Sequence, residues 1–195
     1  MAALEPTASR NQAYVPRGTN DVDAILKQDD ADPSLQRYKA QLLGAAAQGD
    51  RGDLSDPRKL VVTEFRVVFN SAAPDQVFHL NTRAGKDHLK KTGISVKEGS
   101  EYKFRLSFRV QHDILPGLKY INRLKRMGMK TAADELVIGS YAPQSSAHVF
   151  EFPRRDWMEA PKGMMYRGSY TATDKFVDSD GTAHLEYSYP LKVTK

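Results

Sequence analysis

The chain has 195 residues and a mass of 21.8 kDa, enough for one domain with an appended arm. It has no cysteine, which excludes a disulfide scaffold, a thiolate metal centre and a cysteine nucleophile, and fits a reducing compartment. The net charge of +5 hides a split: residues 1–57 carry six basic against nine acidic residues, the rest twenty-three against fifteen, so an arm of −3 precedes a domain of +8. The mean hydropathy is −0.57. No apolar run approaches the roughly 18 residues of a membrane span. Met1-Ala2-Ala3-Leu4-Glu5 lacks the basic-then-apolar order of a secretory signal. The expectation is a soluble, cytosolic protein with no stable membrane insertion.

Residues 1–20 show little periodicity and contain Pro6, Pro16 and Gly18, the composition of a disordered segment. Two short helices follow, near 21–28 and 33–43. Val22, Ile25 and Leu26 fall at i, i+3 and i+4, with Asn20 or Asp21 as cap. Asp32 is placed to cap the second helix, Pro33 opens it and Gly44 ends it. Leu35, Tyr38 and Leu42 form its apolar stripe. The acidic stretch Asp29-Asp30-Ala31-Asp32 joins the two as a hairpin. Helices this short are marginal alone, so their stripes need a surface from elsewhere in the chain or from a partner. Residues 45–59, with Gly49, Gly52 and Pro57, read as a flexible linker. That linker tilts the expectation towards a partner protein.

From residue 58 the period changes to two. Val61, Thr63, Phe65, Val67 and Phe69 alternate with Val62, Glu64, Arg66 and Val68. In 101–110, Tyr102, Phe104, Leu106, Phe108 and Val110 face one way and Lys103, Arg105, Ser107 and Arg109 the other. Further strands are expected over 76–82, 118–123, 136–141, 148–152, 166–176 and 184–193, with Pro190 marking an edge or a missing ladder bond. No helix of useful length interrupts them. The expected fold is all-β, an immunoglobulin-like sandwich over 58–195 behind a flexible arm over 1–57. Splaying one end of such a sandwich opens a slot for a slender apolar ligand, and Tyr102, Tyr170, Tyr187 and Tyr189 suit its lip. The pattern alone favours a filled core over a slot.

Little points to catalysis. The five histidines, at 79, 88, 112, 148 and 184, lack metal-ligand spacing, and no nucleophile elbow, phosphate loop or dinucleotide fingerprint occurs. Asp178-Ser179-Asp180-Gly181 begins like a calcium loop but reaches Tyr189 at the twelfth position, so it reads as a hairpin turn. The densest basic stretch, Lys119 to Lys130, includes Arg123, Lys125 and Arg126 but one aromatic, Tyr120, too few for a base-stacking platform. No enzyme activity, cofactor, metal or nucleic-acid partner is expected.

An ordered series of blocks resembles the Rho GDP-dissociation inhibitor family. It runs through Asp32-Pro33-Ser34-Leu35-Gln36-Arg37-Tyr38-Lys39, Leu106-Ser107-Phe108-Arg109-Val110, Gly117-Leu118-Lys119-Tyr120-Ile121, Val137-Ile138-Gly139-Ser140-Tyr141, Glu159-Ala160-Pro161-Lys162-Gly163-Met164 and Arg167-Gly168-Ser169-Tyr170. The resemblance implies a monomer that forms a 1:1 heterodimer with geranylgeranylated Rho-family GTPases in the GDP state. It implies slowed GDP release, a masked prenyl group and extraction from membranes. Carried over, Asp32 and Ser34 touch the GTPase switch region, with Tyr38 and Leu42 beside them, and Asp180 meets a basic or histidine side chain. Val67, Ile94, Tyr102, Ile114, Leu136 and Tyr189 line the lipid slot. The chain departs from the family pattern at Pro33 and Ser179, in place of acidic residues, and at Tyr187 and Tyr189, in place of tryptophans. Ile94 and Leu136 replace aromatic residues, and the overall charge is basic where familiar members are acidic. The alternative is a general carrier of prenylated cargo without effect on nucleotide exchange. Its sandwich would need no such arm.

Overall fold

Alternating apolar residues build two sheets that share one core. In the computed structural model, which describes residues 21–28 and 32–195, the strands are Leu60–Phe69 (β1), Gln76–Phe78 (β2), Ile94–Lys97 (β3), Glu101–Val110 (β4), Leu115–Arg126 (β5), Met129–Tyr141 (β6), His148–Phe152 (β7), Met158–Glu159 (β8), Gly168–Val177 (β9) and Ala183–Thr194 (β10). One sheet runs β2-β1-β4-β7, with β8 also on β4; the other runs β3-β10-β9-β5-β6. All pairings are antiparallel except β3 with β10. Phe65, Val67, Phe108, Leu118 and Phe176 are buried between the sheets. The expected all-β, immunoglobulin-like sandwich is the one observed.

Three local expectations need correction. A bulge between Val62 and Glu64 shifts the register of β1 against β4. An inserted residue reverses the phase of a strand. Leu60 and Val62 therefore join Phe65 and Val67 in the core, and the Thr63 hydroxyl donates to the Ser107 carbonyl at 3.0 Å. Secondly, a helix, Arg83–Thr92 (α3), does interrupt the strands. The Thr82 hydroxyl caps it by accepting from Gly85 N at 3.1 Å, Lys90 and Lys91 sit in its last turn, and Gly93 ends it at a φ of 68°. A side chain at Gly93 would strike the Pro190 carbonyl. Thirdly, of the two readings of Pro190 the edge position fails and the missing ladder bond holds, because β10 is an interior strand. The proline sits one residue before the first β3 pairing, Leu191 with Ile94, where only β9 pairs.

The arm helices are Val22–Lys27 (α1) and Pro33–Leu43 (α2), followed by a 3-10 turn over Gly44–Gln48. Val22, Leu43 and Ala46 form a second buried cluster, with Ile25, Leu26, Ile114 and Ala142 against it. The α1 stripe is thus covered by the chain itself, not left for a partner. The stretch after α2 is no bare linker either. The Asp50 carboxylate accepts from Ser145 N and Oγ, Arg51 pairs with Asp23 at 2.6 Å, and His112 N donates to the Arg51 carbonyl. The readings of residues 1–20 and of the Asp29-Asp30-Ala31 turn lie outside the described residues.

Candidate functional site

Where β5, β9 and β10 run side by side, their register lays inward side chains in rows across the sheet. Leu136, Tyr120 and Phe176 form one row. Asp134, Asn122, Asp174 and Tyr187 form the next, and Ala132, Leu124, Ala172 and Tyr189 a third. Beyond the third row the two sheets part. A cavity of about 410 Å³ opens there, walled by Val96, Tyr102, Leu124, Tyr170, Leu191 and Val193 and edged by Pro161, Met165 and Arg126. That volume lies within the range of small-molecule sites, about 300–1,000 Å³. A deeper space of about 110 Å³ shares Val96, Tyr102, Leu124 and Leu191 with it and continues to Ile94, Tyr120 and Tyr189. A last void of about 20 Å³, beside Leu136 and Phe176, shares Phe104 and Tyr120 with the second. These spaces form a tapering series from the surface into the core.

An ion pair on one side and an arginine bound to backbone carbonyls on the other hold the 163–167 loop over the mouth. Arg167 grips Glu98 with two bonds, at 2.9 and 2.5 Å, and Gly163 N donates to the same carboxylate at 2.9 Å. The Arg167 guanidinium and that amide hold the Glu98 carboxyl down at about 2. On the other side Arg126 donates to the Met165 carbonyl and, at 3.0 Å, to the Arg167 carbonyl. Its guanidinium lies 5.4 Å from the Tyr170 ring.

The middle row brings a polar group into this apolar surface. Asn122 Nδ2 donates to Asp174 Oδ1 at 2.6 Å, while Asp174 Oδ2 and the Tyr120 and Tyr187 hydroxyls have no hydrogen-bond partner among the described residues. Burial raises the Asp174 carboxyl to about 6; Asn122 and the surrounding tyrosine hydroxyls, close but outside bonding geometry, pull it back only in part.

The opposite end of the sandwich carries the arm. Asp32 caps α2, its Oδ1 accepting from Ser34 N at 2.8 Å and Leu35 N at 3.2 Å. Asp32 and Ser34 are exposed at the helix start. Tyr38 and Leu42, one turn apart, are 60% and 66% exposed, while Leu43 faces the domain. Asp180 lies at this end too, in the turn between β9 and β10. Asp178 shapes that turn, accepting from Asp180 N and Thr182 N through Oδ1 and meeting His184 Nε2 at 2.8 Å through Oδ2. Ser179 N donates to the Pro116 carbonyl, which ties the turn to the start of β5.

Of the six residues expected along the lipid slot, the structure brings four to the cavity series. Tyr102 walls both larger spaces, Ile94 and Tyr189 wall the inner one, and Leu136 borders the smallest. Val67 is wholly buried and lines none of the three. Ile114 packs against the arm cluster, at the far end of β5 from the mouth. Tyr170, expected at the lip of the slot, walls the outer cavity. Among the wall residues not singled out for the slot, Leu191 and Val193 were legible as inward positions of an expected strand. Val96 sits on β3, a strand too short to signal itself, and Leu124 lies past the expected end of β5.

The sequence matches the family described as RHO protein GDP dissociation inhibitor over residues 3–195. The chain belongs to the Rho GDP-dissociation inhibitor family. A Dictyostelium discoideum protein described as a rho GDP-dissociation inhibitor 1 is 41% identical over 182 residues, 92% of this chain and 90% of that protein. The human Rho GDP-dissociation inhibitor 1 is 34% identical over 210 residues, 100% of this chain and 98% of that protein. Among solved structures, a Niemann-Pick type C2 protein from Japanese carpenter ant aligns with a TM-score of 0.42 and 10% identity, over 69% of this chain and 93% of that chain. The family match takes in the arm as well as the sandwich, and a general carrier of prenylated cargo has no need of that arm.

Proposed function

We propose that this inhibitor-family chain binds a geranylgeranylated Rho-family GTPase in its GDP state as a 1:1 heterodimer, slows GDP release, and keeps the complex in the cytosol. In this reading residues 1–57 are the regulatory arm and 58–195 the prenyl-binding domain. The observation that carries it is the apolar cavity between the sheets, opening at the end away from the arm. Burying a twenty-carbon isoprenoid gains about 0.8 kcal/mol per CH₂, or on the order of 10 kcal/mol gross. A bilayer offers comparable burial, so the cavity alone only competes with the membrane. Contacts from the arm supply the difference. Asp32, Ser34, Tyr38, Leu42 and Asp180 are the residues assigned to the GTPase, and Tyr102, Ile94, Tyr189 and Leu136 to the lipid. Contacts that favour the GDP-bound switch arrangement must be given up before nucleotide leaves, which slows release.

Trp157 gives a direct test. It precedes Met158, which borders the inner space, and its ring stacks under Lys103 at 4.7 Å. Titration with a geranylgeranyl-cysteine peptide is expected to change its emission saturably, and the unlipidated peptide to leave it unchanged. No response to either peptide, together with no competition for a prenylated GTPase, would refute the lipid assignment.

A further inference from the structure

Exposed apolar side chains gather round the cavity mouth. Of the ten large apolar side chains most exposed among the described residues, five stand on two neighbouring loops: Met127 and Met129 on the β5–β6 hairpin, and Met164, Met165 and Tyr166 on the loop before β9. Arg126 joins the two loops through its bond to the Met165 carbonyl. Met165, Tyr166 and Arg126 all border the outer cavity.

The hairpin tip is unusual in its turn chemistry. Met127 and Gly128 both have positive φ, 50° and 81°, as a two-residue hairpin turn requires. Asn or Asp is the ordinary choice at the first position. A methionine there takes an uncommon conformation, gains no burial at 91% exposure, and contributes nothing to the core. An apolar side chain in that position is available to a surface outside the fold. The charge around it has one sign. Residues 123–133 contain Arg123, Lys125, Arg126 and Lys130 and no carboxylate, and none of these four forms an ion pair among the described residues. Cations beside exposed, flexible apolar side chains match a bilayer surface with anionic headgroups, where the cations meet phosphate and the methionines enter the acyl boundary.

We propose that the β5–β6 hairpin tip and the 163–166 loop form a docking surface for anionic membranes, which presses the cavity mouth against the bilayer. Resting on the prenyl reading of the cavity, this gives an isoprenoid a path from the acyl region to the cavity without crossing water.

The test uses the full chain without any GTPase. Flotation with phosphatidylcholine vesicles is compared with flotation on vesicles holding about 30% phosphatidylserine, in about 0.1 M salt. Binding is expected on the anionic vesicles alone and to fade as salt rises. Lys125→Glu/Lys130→Glu and Met127→Ser/Met129→Ser are each expected to weaken it about tenfold or more. Tyr38→Ser/Leu42→Ser, at the opposite end, is expected to leave it unchanged. Absence of anionic-vesicle binding overturns the proposal, as does binding that both hairpin variants retain, or capture by structured RNA with none by vesicles. The geranylgeranyl-peptide titration separates this surface from the cavity assignment. Vesicle binding without peptide binding would sink the cavity reading and leave the surface standing, and peptide binding without vesicle binding would do the reverse.

Discussion

The Asp50 carboxylate holds both the amide and the hydroxyl of Ser145, at 2.8 and 2.7 Å, across ninety-five residues of sequence. These bonds lower the Asp50 carboxyl below its ordinary value, the Ser145 amide contributing most. They set where the arm leaves the sandwich, one turn after the buried Ala46. Asp50→Ala is expected to cost about 1 kcal/mol and to speed amide exchange over 44–56 while leaving the β-core protected. The fastening is present above the ordinary aspartate range and is lost as pH falls through the lowered value, so acid should loosen this segment in the wild type and not further in the variant. Equal exchange in both proteins at neutral pH would contradict it.

Asp174 makes the opposite prediction. Its carboxyl titrates at about 6 in the fold against 3.8 ordinarily. Below 3.8 it is neutral whether folded or unfolded and costs nothing. Between 3.8 and about 6 the unfolded chain ionises first, so stability falls as pH rises, and the loss levels off above 6 at roughly 3 kcal/mol. Asp174→Asn keeps an acceptor for Asn122 and removes the charge. It is expected to raise the urea midpoint at about pH 7.5 and to flatten its fall between about pH 4 and 6. A variant less stable than wild type at neutral pH would show that the tyrosine hydroxyls support the anion better than the geometry indicates.

Asp32 holds two amides of α2, so Asp32→Ala should cost about 1 kcal/mol of local helix stability. In the proposed reading it also weakens inhibition of GDP release while geranylgeranyl-peptide binding persists. Release rates at saturating inhibitor decide this, and unchanged rates would remove Asp32 from the GTPase contact.

The two ends of the sandwich set a length. From Gly168 at the mouth to Val177 beside the Asp180 turn, β9 is 10 residues long, about 33 Å at 3.3 Å per residue. A prenyl group is carried at a C-terminal cysteine, so a GTPase gripped at the arm end must reach the mouth through its tail. Cutting that tail below about ten residues is expected to reduce affinity to that of the unprenylated form, because the tether no longer spans the sites. Affinity that is indifferent to tail length would place the GTPase elsewhere.

Much of this architecture was legible in sequence because half-buried strands announce themselves by alternation. The phase of 101–110 is met residue for residue, and His148–Phe152 has its expected bounds. What escaped depends on long-range contact. The bulge at Val62/Glu64 reverses a face without altering composition. Helix α3 buries one large apolar residue, Leu89, so it has almost no stripe; its signals were the Thr82 cap and the Gly93 stop. The 45–59 segment has a linker's composition, yet Asp50, Arg51 and Asp56 find partners distant in sequence. Ile114, just before β5, and Tyr102, on β4, look alike as apolar residues of the sandwich sequence. Only the fold puts one under the arm and the other on the cavity wall.

The central claim is that the lipid occupies the inter-sheet cavity while the arm end holds the GTPase. Its most direct test is the rate of GDP release from one Rho-family GTPase, prenylated and unprenylated, against increasing wild-type chain or a Leu124→Trp variant that fills the cavity. The account predicts that the wild type slows release from the prenylated form at far lower concentration than from the unprenylated one, and that Leu124→Trp erases this difference while still slowing both at high concentration. A filled cavity that leaves the preference for the prenylated form intact would contradict it.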